Sequence, residues 1–117
     1  MVRAGNSAFS DQVFALTTFD GDVIAAGDFL SAGGATVNRI AHWDGQAWHP
    51  LGSGLNGNVR ALAVLDGELY AGGFFTQAGG QSARGIARWN GSSWQGAGGG
   101  VTSSNGGPSA VFARTTP

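Results

Sequence analysis

An internal repeat is the feature that most constrains the fold of this 117-residue chain. Residues 13–55 align without a gap with residues 59–101, and 18 of the 43 aligned positions are identical. The phrase "IAHWDGQAW" at 40–48 thus returns as "IARWNGSSW" at 86–94, 46 residues later. Because repeated units of this size bury their apolar faces against one another, the chain is predicted to be a stack of similar units.

The residue types within the unit favour strands over helices. A period of about 40 to 50 residues is typical both of β-propeller blades and of helical-pair repeats. Glycine accounts for 22 of the 117 residues and lies beside Val, Phe and Trp. That composition disfavours helices and suits short strands joined by tight turns. Each unit is therefore predicted to be an all-β propeller blade.

Each unit divides into two hairpins, which gives two four-stranded antiparallel blades per chain. Asp-Gly and Asn-Gly suit a two-residue type I′ turn, in which both central residues have positive φ. The predicted turns are Asp20-Gly21 and Asp44-Gly45 in the first unit, and Asp66-Gly67 and Asn90-Gly91 in the second. A two-residue turn at Asp44-Gly45 places residue 43 opposite 46 and residue 41 opposite 48.

The aromatic residues predict how neighbouring blades pack. Since side chains alternate between faces, Ala41, Trp43, Gln46 and Trp48 are expected on one face of the sheet. Burying one indole removes on the order of 200 Å² from water, worth at most roughly 5 kcal/mol. The side chains predicted to pack between blades are Trp43, Trp48, Trp89, Trp94, Phe29 and Phe75. The alternative is that the indoles are exposed platforms for sugars or methylammonium groups.

The repeat also defines the domain organisation. Blade 1 is predicted over residues 13–58, and blade 2 over residues 59–110 with an extended connector. Residues 1–12 are either a leader or the remnant of a preceding blade. Residues 111–117, "VFARTTP", echo "VFALTTF" at 13–19 and are predicted to form the first strand of a third blade.

The repeat resembles a known family. "ALAVLDGELYAGGFF" followed by "IARWNGSSW" is similar to kelch and galactose-oxidase-type β-propeller repeats. It looks most like the tandem "IARWDG..W..LG.GLNG" repeats of bacterial and fungal surface proteins. The resemblance implies a propeller and favours an extracellular or cell-surface location. It does not imply oxidase chemistry, because that activity needs copper ligands and a cysteine crosslink, and this chain has no cysteine.

Two blades leave a propeller ring open, since propellers typically have four to eight blades. We therefore expect the chain to partner with itself in a cyclic homo-oligomer with head-to-tail seams. A trimer makes six blades and a tetramer eight, and the trimer is the preferred prediction. The alternative is a fragment of a longer chain whose other blades close the ring.

The long connectors are the expected binding surface. Strand direction places the tight turns on one rim of the blades and the connectors, 30–39, 52–58, 76–85 and 98–110, on the other. Loops on a rigid scaffold commonly carry binding residues. The candidate ligand-binding residues on that rim are Asn38, Arg39, Asn56, Asn58, Gln81 and Arg84, with a plain solvated loop as the alternative for each.

Composition and motifs argue against several function classes. Six basic and seven acidic residues provide no basic stripe for nucleic acid, and no apolar run reaches membrane-spanning length. His42 and His49 lack a third metal ligand, and Asp20, Asp22 and Asp28 are a weak calcium motif, so no metal, cofactor or catalytic residue is predicted. The expected function is a non-catalytic, self-assembling scaffold and binding surface for protein partners. A carbohydrate-binding lectin with shallow sites between blades is the alternative.

Overall fold

The computed structural model describes residues 9–96, and the predicted all-β architecture with antiparallel sheets is confirmed there. In chain order the strands are β1 (Val13–Phe19), β2 (Asp22–Gly27), β3 (Ser31–Ala32), β4 (Ala35–Thr36), β5 (Ile40–Trp43), β6 (Trp48–Pro50), β7 (Asn58–Leu65), β8 (Glu68–Phe74), β9 (Gln77–Ala78), β10 (Gln81–Ser82), β11 (Ile86–Trp89) and β12 (Trp94–Gly96). The first sheet has the order β1-β2-β5-β6 and the second β7-β8-β11-β12. The connector expected at 98–110 and the strand expected at 111–117 lie outside the described residues.

The first hairpin of each unit turns as predicted. Asp20 and Gly21 have φ values of 58° and 89°, and Asp66 and Gly67 have φ values of 53° and 77°. These are the left-handed values that a type I′ turn requires at both central positions.

The second hairpin of each unit does not have the predicted two-residue turn. Trp43 pairs directly with Trp48, and Trp89 with Trp94, so a four-residue loop joins the strands. The Asp44 side chain accepts hydrogen bonds from the N–H groups of residues 46 and 47 at 2.8 and 2.9 Å. Such side-chain capping of the following backbone stabilises a different turn. Gln46 therefore lies in the loop and not on the tryptophan face.

Each connector between hairpins contains a short additional hairpin, β3-β4 in the first unit and β9-β10 in the second. Both turn at a Gly-Gly pair with positive φ. A Cβ on Gly79 would lie 3.0 Å from the Trp94 ring, and one on Gly33 would lie 3.3 Å from the Trp48 ring. Glycine thus lets the small hairpin lie close against the indole. Two-residue strands are too short to show alternation in the sequence, so they were not predicted.

The two sheets pack face to face through one apolar seam. We call the face of each sheet that carries its tryptophans the indole face, and the opposite face the isoleucine face. The isoleucine face of the first sheet packs against the indole face of the second in one buried cluster. From the first sheet the cluster includes Ile24, Ala26 and Ile40, and from the second Leu69, Ala71, Ala87, Trp89 and Trp94. Strands β1 and β7 lie side by side, and the Arg60 guanidinium stands 4.1 Å from the Phe14 ring centroid.

The indole face of the first sheet forms a second cluster with residues from the N-terminal end. The Phe9 ring lies 4.6 Å from Phe29 and 4.9 Å from Trp48, measured between centroids. Phe9 also bridges to Ala32, as Leu55 bridges to Ala78. Each pair of equivalent residues is separated by 46 positions, so Phe9 makes in the first unit the bridge that Leu55 makes in the second. Residues 1–8 lie outside the described residues, and both alternatives for residues 1–12 stay predictions.

Candidate functional site

Three connectors meet at the rim opposite the tight turns. The N–H of Gly79 donates to the carbonyl of Gly54 at 2.7 Å, and the N–H of Leu55 donates to the carbonyl of Asn38 at 3.1 Å. The connector that follows the first sheet is therefore bonded to connectors of both sheets. This places the candidate rim directly over the seam.

Two of the candidate asparagines hold this rim together. The Asn56 Oδ1 accepts the N–H groups of Thr76 and Gln77, each at 2.9 Å, and its amide nitrogen donates to Thr76 Oγ1. The Asn38 amide donates to the carbonyl of Ser53 at 3.0 Å. Ser10 repeats the Asn56 contact in the first unit, since its Oγ accepts the N–H groups of residues 30 and 31.

Arg39 is one of the two arginines predicted on this rim, and its backbone conformation is unusual. Its φ is 77°, a left-handed value that disfavours residues with a side chain. The guanidinium Nη1 donates to the carbonyl of Leu55 at 3.0 Å. The Nε atom is buried and has no hydrogen-bond partner within the described residues. Gly85 takes the equivalent position in the second unit with φ 82°.

A groove of about 340 Å³ opens between these connectors. Its lining residues are Asn38, Arg39, Ser53, Gly54, Leu55, Asn56, Gln77 and Gly80. The structure thus brings together Asn38, Arg39 and Asn56 from the predicted site, whereas Asn58, Gln81 and Arg84 do not line the groove. Sequence reasoning missed Ser53, Leu55 and Gln77, because only the crossing of connectors from both units brings them together.

A smaller cleft of about 130 Å³ lies at the opposite end of the seam. His42 lines it, with Asp22 beside the ring at 2.7 Å between Nδ1 and Oδ2. His49 instead approaches Asp44, at 2.8 Å between Nε2 and Oδ2. Hydrogen bonds from the backbone of Ala47 and Gln46 and from His49 lower the pKa of Asp44 from 3.8 to about 2.

His42 and His49 are paired across β5 and β6 and lie on one face of the first sheet. Their ring centroids are 5.3 Å apart, and each ring contacts a different carboxylate. In the second unit the same positions hold Arg88 and Gln95, and Arg88 forms an ion pair with Glu68 at 3.0 Å. Among residues 9–96, no group of three or more His, Asp or Glu side chains could hold a metal ion. The described part of the chain also contains no helix long and apolar enough to cross a membrane.

Comparison with known families agrees with this architecture. A family model described as "Domain of unknown function (DUF5122) beta-propeller" matches residues 65–92, from the end of β7 into the loop after β11. A search of curated proteins and a search of solved structures each found no match. The match and the antiparallel sheets together support a β-propeller repeat.

Proposed function

We propose that this chain is a non-catalytic β-propeller module that assembles with further copies of itself and presents its connector rim to protein partners. The observation that carries the proposal is the seam, in which one sheet's isoleucine face covers the next sheet's indole face. The two faces are different and complementary, so the contact is head-to-tail and extends in both directions. The kelch-like type of repeat is retained within this proposal, supported by the Gly72-Gly73 pair in β8.

The indole face of the first sheet carries the same residue types as the indole face of the second sheet, which is buried in the seam. Leu62 packs into the seam between the sheets, whereas its equivalent, Leu16, is 63% exposed. Trp89 is 8% exposed within the seam, whereas its equivalent Trp43 is only half-buried. The difference follows from what covers each sheet, because the residue types are the same. A further blade on the first sheet would bury Leu16 and Trp43 as the first sheet buries Leu62 and Trp89.

The second sheet carries the complementary face. Its isoleucine face bears Ala61, Ala63 and Ile86, which are 2%, 4% and 2% exposed in the single chain, and Tyr70, which packs half-buried against them and keeps part of this face accessible. Ile86 and Tyr70 take the positions of Ile40 and Ile24, which cover the indole face within the chain. A second copy therefore offers the matching partner for the first copy's indole face. Three copies close a six-blade ring and four close an eight-blade ring.

The mass of the full chain in solution tests the assembly. Native mass spectrometry and light scattering are expected to give three copies per particle, with four as the other closed ring. A folded monomer of 11.8 kDa at all concentrations would contradict self-assembly. A particle whose mass rises continuously with concentration would contradict ring closure, because an open head-to-tail stack has no defined end.

A lectin is the second candidate function. The groove lies between the two sheets and is lined by amide and hydroxyl groups, which can hydrogen-bond sugar hydroxyls. It ranks second because, among the groove's lining residues within 9–96, there is no aromatic ring on which a sugar could stack. A glycan array probed with the labelled chain tests this alternative. Retention of one class of sugar, lost on substitution of Arg39, would favour the lectin over the protein-binding module.

A further inference from the structure

We propose that the groove over the seam binds the carboxylate of a glutamate or aspartate side chain from a protein partner, with Arg39 as the recognition residue. This inference rests on the proposed role of the connector rim as a binding surface and specifies the chemistry of its ligand.

The backbone at Arg39 does not need an arginine. The carbonyl of residue 39 accepts the N–H of Gly27 at 3.0 Å, and the carbonyl of Gly85 accepts the N–H of Gly73 at 3.0 Å. The same left-handed conformation thus makes the same contact in both units, and the second unit uses glycine for it. A side chain at this φ costs energy, and such outliers cluster at functional sites. Because glycine makes this backbone contact equally well, we infer that the side chain of Arg39 has a function that the backbone does not.

Within residues 9–96, the charge of Arg39 has no counter-ion. The residue is half-buried, and none of the ion pairs among those residues includes it. A partly desolvated cation gains from a charged partner with matching hydrogen bonds. The Leu55 carbonyl fixes one end of the guanidinium at 3.0 Å, which limits the number of positions the group adopts at the groove.

The groove selects a carboxylate over a phosphate. Among its lining residues within 9–96, Arg39 alone is charged. One guanidinium matches the single charge and planar geometry of a carboxylate, whereas phosphate sites generally gather several cations. A volume of about 340 Å³ is at the lower end of ligand-site sizes and suits one side chain. Among the described residues that line the groove there is no aromatic ring for a sugar to stack on, which favours a peptide carboxylate over an acidic sugar.

The test is a titration of the full chain followed by backbone NMR shifts. The probes are a blocked pentapeptide with one central glutamate among glycines, its glutamine counterpart, inorganic phosphate and methyl glucuronide. The glutamate peptide is expected to shift the signals of residues 38–39, 53–55 and 77–80, with a Kd about tenfold or more below that of the glutamine peptide.

Two variants and a matched control locate the recognition residue. Arg39→Gly reproduces the residue of the second unit, so the backbone is expected to keep its conformation while the glutamate peptide loses about tenfold in affinity. Gln77→Glu leaves the Arg39–Leu55 contact in place and adds a negative charge to the groove, and it should weaken binding severalfold. Gln81→Glu adds the same charge to the same small hairpin outside the groove and should change the Kd by less than about twofold.

The outcomes separate this inference from the proposed function. Equal binding of the two peptides, no binding up to about 50 mM, or unchanged affinity in Arg39→Gly would overturn the carboxylate site. Tighter binding of phosphate or methyl glucuronide would also overturn it and would name a different ligand. The particle mass is measured on the same samples, so a chain that assembles but binds no carboxylate refutes only the ligand, and a monomer refutes the assembly.

Discussion

Trp94 donates its indole N–H to the carbonyl of Leu51 at 2.8 Å, and this buried hydrogen bond ties the second sheet to the connector of the first. Trp48, the equivalent tryptophan of the first unit, has a buried Nε1 with no partner within the described residues. In the second unit the acceptor is the carbonyl of Leu51. The equivalent position for Trp48 is residue 5, 46 positions earlier, which lies outside the described residues.

Replacement of the two tryptophans by phenylalanine is expected to have unequal effects. Trp94→Phe and Trp48→Phe remove the same ring volume, but only Trp94→Phe removes a buried hydrogen bond, after which the Leu51 carbonyl still accepts the N–H of Gly54 at 3.1 Å. The free energy of unfolding should therefore fall by about 1 kcal/mol more in Trp94→Phe. Urea unfolding of both variants measures the difference. Equal losses would show that the Trp48 N–H has an acceptor of its own.

Leu16 is the position at which assembly is most open to disruption. Leu16→Glu places a charge on the indole face of the first sheet, where Leu16 is 63% exposed in the single chain. The particle should dissociate to a chain of 11.8 kDa that keeps its β-sheet circular dichroism, because the charge has no partner in a closed seam. Gln46→Glu, with the same charge change in an exposed loop, should leave the mass unchanged. An unchanged mass for Leu16→Glu would contradict the proposed seam.

Adjacent glycines of β8 are expected to respond differently to alanine. A Cβ on Gly73 would overlap the backbone carbonyl of Asn58, which cannot move without breaking the strand pairing. Gly73→Ala should therefore cost several kcal/mol, about 3 or more. Gly72→Ala is the matched control, because the first unit has a fully buried Ala26 at that position. Similar thermal stabilities for the two variants would contradict this account.

The stability of the loop between β5 and β6 is expected to depend on pH through the ionisation of Asp44. Its pKa in the folded chain is about 2, below the ordinary value of 3.8. The ionised carboxylate therefore stabilises the fold fully at pH values above about 4. The contribution is lost as pH falls from about 4 through 2. Asp44→Asn should remove this pH dependence and keep the turn, because Asn90 accepts the equivalent hydrogen bonds at 2.9 Å in the second unit. Carboxyl NMR of the parent chain should show a midpoint near 2, and a midpoint near 3.8 would contradict the capping role.

The sequence predicted the elements that depend on local chemistry. The four main strands of each unit and the Asp20-Gly21 and Asp66-Gly67 turns follow from alternation and from residues that accept positive φ. The prediction of a two-residue turn in the second hairpin was wrong. Asp and Asn are common in turns for two reasons, because they tolerate left-handed backbone and because their side chains accept hydrogen bonds from the following N–H groups, and Asp44 and Asn90 do the second. Both uses are compatible with the same dipeptide, and the longer loop pairs Trp43 with Trp48.

The candidate site was only partly accessible to sequence reasoning. Arg39 was singled out as a polar rim residue, but its left-handed backbone and its contact with Leu55 depend on how the connectors cross. Asn56 was expected on the rim, and the structure shows its amide holding the next connector. Gln77 gave no signal, because nothing in its own unit distinguishes it from a solvated loop residue.

The sequence by itself determined that the chain consists of two equivalent β units with one tryptophan-bearing face each, because periodicity and turn chemistry are properties of neighbouring residues. Only the tertiary structure decided which face of one unit covers which face of the next, and that a groove with Arg39 forms above this seam. Those contacts join residues that are tens of positions apart, and their free energy comes from apolar burial and hydrogen bonds between units.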